Sequence, residues 1–272
     1  LPRGADCVVP YEATERLDAG RMRVLDPGAH AAGDCVHPRA SDRSEGEALL
    51  EPGRRMGARE IAVAATCGRA DLLVSEWPAV AIVSTGDELV EIGATPAPHQ
   101  IRRSNDRMIR AALEGAGFPV ETGQHLGDEP GASTSALSEL IETHDVVLIS
   151  GGISMGKRDY IPGALEAMGL SRHFGGVAQK PGKPLGFWTH PEATVFTLPG
   201  NPLSALTCVH HYVIPALRHA AGLVNAASPC RVRLQSAVRA RDDLTVFLPV
   251  RRLPGNRAVA TPANNSGDLV GI

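Results

Sequence analysis

AVAIVSTGDEL, residues 79–89, opens on six consecutive residues that carry no charge and no turn former. An apolar run of that kind suits a strand buried on both faces, since neither side has to meet water. It stops at Thr85-Gly86-Asp87-Glu88, a short polar group. The same unit recurs twice: Asp145-Val-Val-Leu-Ile149 leads into Ser150-Gly151-Gly152, and Thr194 to Leu198 leads into Pro199-Gly200-Asn201-Pro202. Helix-like stretches lie between and after them. Ser104 is placed to cap a helix through about Glu114, ended by Gly115 and Gly117. Further helices are expected over Ala132 to Glu142, Tyr160 to Met168, and Pro202 to about Ala221, with one more strand over Phe118 to Thr122. This alternation predicts an α/β fold built on an open, mostly parallel sheet covered by helices.

The flanks read differently. Residues 1–40 are rich in turns, with β-like pieces at Asp6 to Val9 and Arg21 to Leu25, which predicts a small β domain. From Ser41 to Gly68 the pattern is helical but interrupted. Ser44 and Glu47 have the spacing of a capping box, Pro52-Gly53 breaks the run, and Ala58 to Cys67 offers a second helix. Residues 230–272 return to β-like alternation at Arg231 to Leu234 and Thr245 to Leu248. The expected divisions are 1–40, 41–75, 76–222 and 223–272. Because Leu1 stands inside what reads as a turn, Pro2-Arg3-Gly4-Ala5-Asp6, further amino-terminal sequence is expected.

A length of 272 residues suggests two domains or more. With 43% hydrophobic residues, 21% charged residues and a formal net charge of −3, the chain has a globular composition. The basic excess that would suggest nucleic acid as a partner is missing. No apolar run approaches the ~18 to 20 residues that span a bilayer, and no signal-peptide pattern stands at Leu1. The five cysteines (Cys7, Cys35, Cys67, Cys208, Cys230) form no C-x-x-C pair, which argues against a zinc site or disulfide framework and makes a reducing cytoplasm the expected location.

Ligands of open α/β sheets bind outside the carboxyl ends of the strands, so the groups that follow each strand are the candidates for function. Ser150-Gly151-Gly152 lacks side-chain bulk and lets backbone N–H groups approach an anion. Asn201 suits an N-cap and Pro202 the first helical position, which aims a helix N-terminus at the same rim. In Lys180-Pro181-Gly182-Lys183-Pro184 a stiff loop carries two point charges. Glu88, Asp128 and Asp159 fall in loops of the same region and suit a hard cation such as Mg²⁺. Taken singly, each feature has a bland reading as a flexible turn, a solvated carboxylate or a surface lysine. Four such groups beside strands of one sheet argue for a shared site on one rim. His210-His211 has no metal-ligand spacing, neither a P-loop nor a Gly-x-Gly-x-x-Gly fingerprint is present, and aromatic residues do not interleave with basic ones.

In order along the chain, STGDEL (84–89), IRRSN (101–105), GDE (127–129), SGGISMGKRDY (150–160), QKPGKPLGFW (179–188) and LPGNPLSAL (198–206) together resemble the molybdopterin molybdenumtransferase family, the MoeA type that includes the gephyrin E domain and its plant counterpart. The resemblance starts at GADCVVPYE (4–12) and runs nearly to the carboxyl terminus. It implies an elongated homodimer with a three-layer α/β molybdopterin-binding domain and a β-rich carboxyl-terminal domain. The upstream β domain would be inserted into a helical domain whose first half lies outside this chain. The implied reaction inserts molybdate into the dithiolene of adenylylated molybdopterin, with Mg²⁺-dependent release of AMP and a molybdopterin adenylyltransferase as candidate partner. Position by position, the resemblance implies catalytic roles for Glu88, Asp128, Asp159 and Lys180, the three acidic residues at metal and phosphate and Lys180 as the basic residue of the PGKP motif. Thr85, Gly86, Asp87, Ser104, Asn105, Ser150, Gly151, Gly152, Ser154, Lys183, Pro199, Gly200, Asn201, Pro202 and Ser204 are assigned to substrate.

Departures from the family pattern fall at Gly176, where many relatives are basic, at Lys157 and Arg158, where an acidic residue is common, and at Arg103, where an acidic or small polar one is frequent. Each leaves its surroundings more or differently positive. Two alternatives compete with the insertase. A molybdopterin adenylyltransferase shares the α/β fold and the Ser/Thr-Gly-Gly loop, while a gephyrin-like scaffold would bind a peptide without catalysis. Flanking β regions and LPGNP favour the insertase, and no sequence feature demands a peptide groove.

Overall fold

A computed structural model describes residues 1–18, 20–127, 129–152, 160–224, 229–239, 241–261 and 268–269. The chain divides into two compact units, Leu1–Glu51 and Pro52–Ile272. In the first, β1 (Thr14–Arg16) pairs antiparallel with β2 (Met22–Val24), and Asp26 caps a 3-10 turn at Pro27–Ala29 by accepting from the Gly28 N–H at 3.1 Å. No described residue of this unit is buried. The β-like piece at Asp6 to Val9 is not a strand, though Val8 N–H reaches the Asp34 carbonyl at 2.9 Å and Gly33 N–H the Asp6 carbonyl at 2.8 Å. The helix expected from Ser44 is also absent. Glu47 N–H reaches the Ser44 carbonyl at 3.2 Å, but Gly46 at φ +92° ends the turn there. A helix so short has no packing face here to offset its nucleation cost.

The second unit begins with α1 (Ala58–Thr66), where the Glu60 carboxylate turns back to accept from the Gly57 N–H at 3.2 Å. Then follow β3 (Val80–Thr85), the short parallel pair β4 (Leu89–Val90) and β5 (Ile101–Arg102), α2 (Asn105–Gly115), β6 (Thr122–Leu126), α3 (Pro130–Thr143), β7 (Val146–Ser150) and α4 (Ile161–Ala167). After these come β8 (Ser171–Gly175), β9 (Gln179–Lys180), β10 (Gly186–Thr189), β11 (Thr194–Leu198), α5 (Pro202–Cys208), a π-helical turn (Val209–Val213) and α6 (Ile214–Ala220). The chain closes with β12 (Arg233–Leu234), β13 (Thr245–Val246), β14 (Val250–Leu253) and β15 (Arg257–Ala260).

Six strands form the central sheet in the order β6-β3-β7-β11-β10-β8. The first four are mutually parallel, whereas β10 runs antiparallel to both neighbours. Side-chain alternation makes the two outer layers. Val80, Ile82, Leu148, Phe196 and Leu198 face α2 and the α5–α6 run, and Ala81, Val83, Val147, Ile149 and Val195 face α3 and α4. Each fully buried aliphatic side chain contributes about 1.5 to 3 kcal/mol relative to exposure, so apolar residues on both faces lock the strands between layers. The expected mostly parallel, three-layer α/β arrangement is the one observed. Because β3 leads out to β6 and the chain then crosses back to β7, the direction of winding reverses between β3 and β7. A crevice at the carboxyl ends of such strands is where ligands of open sheets bind.

Three expectations need correction. The strand after α2 starts at Thr122, four residues later than Phe118. Phe118 instead donates its N–H to the Leu113 carbonyl at 2.9 Å and buries its ring against the edge of Trp77, with centroids 5.2 Å apart. The actual strand, Thr-Gly-Gln-His-Leu, is a sheet edge with little apolar signal. Strands β8 and β10 carried no assignment at all. The long last helix contains a π turn, in which the Ile214 N–H reaches back five residues to Val209; Pro215, which lacks an N–H, begins the next turn. At the carboxyl end β12, β15 and β14 form a three-stranded sheet, while β13 pairs in parallel with β9, Thr245 opposite Gln179 and Val246 opposite Lys180. No described helix is long and apolar enough to cross a membrane.

Candidate functional site

At the switch point the two central strands come closest through their last residues. Gly151, at φ +102°, has no side chain, and a Cβ there would stand 2.5 Å from the Thr85 carbonyl oxygen. A Cβ on Gly152, at φ +64°, would stand 2.8 Å from the Thr85 hydroxyl and 3.0 Å from Ile161. The two glycines therefore let the loop after β7 close against the end of β3. Asn105, the first residue of α2, ties that loop to the one after β11: its Nδ2 donates to Ser150 Oγ at 3.0 Å and to the Gly200 carbonyl at 2.8 Å. Around these contacts opens a cleft of about 510 Å³.

Three of the four sequence groups meet in this cleft: Thr85 at the end of β3 with Glu88 beyond it, Ser150 at the end of β7 with Gly151 and Gly152 beyond it, and Pro199 to Pro202 after β11, joined by Ser104 and Asn105. Ser84 Oγ, Thr85 Oγ1 and Asn105 Oδ1 are buried there without a hydrogen-bond partner among the described residues. Buried polar atoms are normally satisfied, so two hydroxyls and an amide oxygen form a vacant set of donors and acceptors for a polar organic ligand. Glu88 is exposed and folds back over Gly86, whose missing Cβ (φ +133°) would meet the carboxylate at 2.5 Å. His125 Nε2 lies 2.9 Å from the Gly86 carbonyl and pins the same turn to β6. Ser104 and Asn201 occupy the N-cap positions of α2 and α5, but neither side chain makes the capping bond. Ser104 lines the cleft.

Arg103 does not make the cleft more positive. Its guanidinium lies 3.0 Å from Glu91 and 3.2 Å from Asp106, and Arg107 contacts the same two carboxylates at 3.3 and 2.9 Å. Two cations and two anions thus cancel. Gly176 likewise has a backbone reason: at φ +143° it occupies a region that side chains resist.

The fourth group parts from the other three. Only Pro184 of the KPGKP loop reaches the first cleft; Lys180 and Lys183 line a second cleft of about 530 Å³. Pro184, Pro199 and Asn201 belong to both and form a common wall. The far side of the second cleft comes from the carboxyl-terminal region through Arg239, Arg241, Val246 and Phe247, and buried Ser204 closes its floor. Arg241 is paired to Asp243 at 2.6 Å, whereas Lys180, Lys183 and Arg239 have no carboxylate partner among the described residues. The Lys180–Pro181 peptide is cis. The single rim expected from the sequence is therefore two adjoining clefts, one polar and near neutral, one cationic.

Asp128, Ser154, Lys157, Arg158 and Asp159 lie outside the described residues. Of the expected acidic trio only Glu88 is placed, beside the exposed Asp87, and the described residues hold no cluster of three metal-ligating side chains. Sequence reasoning missed Ser84, Arg102, Arg239 and Arg241. Ser84 stood in STGDEL as the last residue of the strand, but the arginines of the carboxyl-terminal region had no local signal at all.

Comparison with known proteins agrees with this architecture. Residues 81–219 match the family described as probable molybdopterin binding domain, and residues 1–68 match the MoeA N-terminal region, domains I and II. The whole chain aligns with the molybdopterin molybdenumtransferase of Synechocystis sp. at 34% identity and covers 68% of it. This chain belongs to the molybdopterin molybdenumtransferase family. Other members include the Staphylococcus aureus proteins of that name, at 29% identity with 65% of their length covered. A crystal structure of the molybdopterin biosynthesis MoeA protein from Pyrococcus horikoshii superposes with a TM-score of 0.75 at 29% identity, over 100% of this chain and 66% of that one. The chain thus spans about two thirds of the length of the molybdenumtransferases it matches.

Proposed function

We propose that this chain acts in molybdenum cofactor biosynthesis as a transferase that inserts molybdate into adenylylated molybdopterin and releases AMP. The observation that carries the reading is the pair of clefts on one wall. The first has the volume of an organic-ligand site, and its unpartnered Ser84, Thr85 and Asn105 atoms suit the alternating donors and acceptors of a pterin and a phosphate. In the second, Lys180, Lys183 and Arg239 suit a compact dianion such as molybdate, and the buried Ser204 hydroxyl offers a hydrogen bond. Clefts that share Pro199 and Asn201 would hold the two reactants as neighbours, and proximity is a large part of what an enzyme gives a bimolecular step.

Glu88, with Asp128 and Asp159, is the set we assign to Mg²⁺; the ion would neutralise charge on the phosphoanhydride while these carboxylates hold it. Gly151, whose N–H is bonded to the Leu198 carbonyl at 3.3 Å, would allow a phosphate to approach closely, and the Gly152 backbone would receive its oxygens. Thr85, Ser104, Ser150, Gly200 and Pro202 line the first cleft and would contact this substrate, while Gly86, Asp87 and Ser154 are assigned to it on the family resemblance alone. A homodimer, a cytoplasmic location, delivery of substrate by a molybdopterin adenylyltransferase and the four-part division of the chain belong to the same proposal. The test is to supply the protein with adenylylated molybdopterin, molybdate and Mg²⁺. Formation of AMP and molybdenum cofactor supports the reading; absence of both refutes it. ATP-dependent formation of the adenylylated intermediate from molybdopterin would select the adenylyltransferase instead.

A further inference from the structure

The loop that presents Lys180 and Lys183 is held by Gln179, which lines the second cleft beside them, and by Tyr212 and Cys208, which line neither cleft. Gln179, the residue before it, is 2% exposed. Its Nε2 donates to the Pro181 carbonyl at 3.0 Å and points at the Gly182 carbonyl at 3.4 Å. On the other side its Oε1 accepts from the Tyr212 hydroxyl. Carbonyl oxygens can only accept, so the amide cannot be turned round without facing two acceptors with a third. The Cys208 thiol joins the group, 3.7 Å from both the Gly182 carbonyl and Gln179 Nε2.

Gly182 closes the arrangement. At φ +94° a Cβ on it would stand 2.5 Å from Gln179 Nε2 and 2.7 Å from Cys208 Sγ, so the loop can pack this way only with glycine there. Cys208 and Tyr212 are four residues apart in the helical run and present one face to the loop. The π turn lies at this point, and its His211 stacks on Phe247 with ring centroids 4.0 Å apart, which binds β13 to the same helix. Strand β13 in turn pairs with Gln179 and Lys180. Burial raises the Tyr212 phenol and pushes the Cys208 thiol up to about 12, so both keep their protons and remain donors at neutral pH.

We propose that Gln179, braced by Tyr212 and Cys208, is a positioning residue for oxyanion binding: it fixes the Pro181-Gly182 backbone between Lys180 and Lys183, and so the spacing of their ammonium groups in the second cleft. This rests on the reading of that cleft as the oxyanion site. A single hydrogen-bonded amide ties this five-residue loop to the central fold, because its donor holds the middle of the loop and its acceptor is anchored to a helix.

The experiment measures molybdate and sulfate binding by calorimetry for the wild-type chain, Gln179→Leu and Tyr212→Phe, with melting temperature and amide exchange across 180–184 recorded in parallel. Expected are a loss of molybdate affinity of about tenfold for Gln179→Leu and a smaller loss for Tyr212→Phe, with faster exchange in the loop. In the insertion assay KM for molybdate rises while kcat at saturation is kept. A Gln179→Leu variant that melts lower yet binds molybdate within twofold of wild type makes the amide merely structural and overturns the proposal. If Gln179→Leu does not fold, the same behaviour in Tyr212→Phe overturns it equally. Wild-type protein that binds neither anion also overturns it. Wild-type protein that binds molybdate but releases no AMP refutes the insertase and leaves the positioning role to be judged on affinity alone.

Discussion

Replacing Gly151 by alanine tests whether the first cleft depends on contact between the ends of β3 and β7. The added Cβ would lie 2.5 Å from the Thr85 carbonyl oxygen and 2.9 Å from its Oγ1, well inside van der Waals contact. Neither partner has room to retreat: Thr85 is 2% exposed and its strand is paired on both sides. The substitution also forces a side chain into φ +102°, where strain alone is on the order of 1 to 2 kcal/mol. Overpacking against backbone adds a further ~1 to 3 kcal/mol, for a total of roughly 2 to 5 kcal/mol. In a unit of this size that corresponds to a fall in Tm of roughly 5 to 15 °C. Gly200 is the matched control. It lines the same cleft after the next strand, but its φ is not positive and nothing lies within 4 Å of an added Cβ. Gly200→Ala should change stability by less than about 0.5 kcal/mol. Urea titration of both variants decides the matter. If Gly151→Ala matches wild type within that margin, the strand ends are not in the contact described.

Other perturbations separate the two clefts. Glu88→Gln and Asp159→Asn should each lower the rate of AMP release by on the order of 10²-fold without altering the urea midpoint, and near-normal turnover in either would remove it from the metal set. Lys180→Ala and Lys183→Ala should each weaken molybdate binding by roughly 10- to 100-fold while leaving pterin binding intact, as charge-assisted contacts are worth about 1.5 to 3 kcal/mol; equal losses for both ligands would contradict separate clefts. Glu60 gives a pH signature. A hydrogen bond from Arg59 at 2.8 Å, aided by the Gly57 N–H, holds its carboxyl below the ordinary value of 4.5. A depressed carboxyl adds stability above its unfolded pKa and loses it as pH falls through the folded one. The stability gap between wild type and Glu60→Gln should therefore be constant at neutral pH and narrow below 4.5. A gap of unchanged size in acid would show that the carboxylate's charge is not what matters.

The sheet was legible because its central strands are unambiguous. AVAIVS, DVVLI and TVFTL are apolar on both faces, and only a position between two helical layers satisfies that. The edges were harder to read. Thr122 to Leu126 pairs with β3 yet has one buried residue, so pairing rather than composition makes it a strand. The cleft residues nearest to those central strands were found for the same reason, since each sits one to four positions past an apolar run. Long-range placement was not available to a reading of that kind. Nothing within KPGKP says that its lysines face Arg239 and Phe247 instead of Thr85, because the choice is made by the parallel pairing of β9 with β13, 66 residues away at Thr245 and Gln179. The π turn left one mark in the sequence, Pro215 inside a helical run, and the length of an ordinary helix concealed it.

The wall of Pro184, Pro199 and Asn201 has a consequence for how this protein can vary. Residues facing one cleft alone can drift to suit a new anion or a new organic substrate without disturbing the neighbour. Residues of the wall have no such freedom, because any change of shape is presented to both occupants at once. Divergence in anion preference should therefore accumulate at Lys180, Lys183 and Arg239, and inhibitors built against the wall would meet a surface on which escape by mutation damages two binding events together.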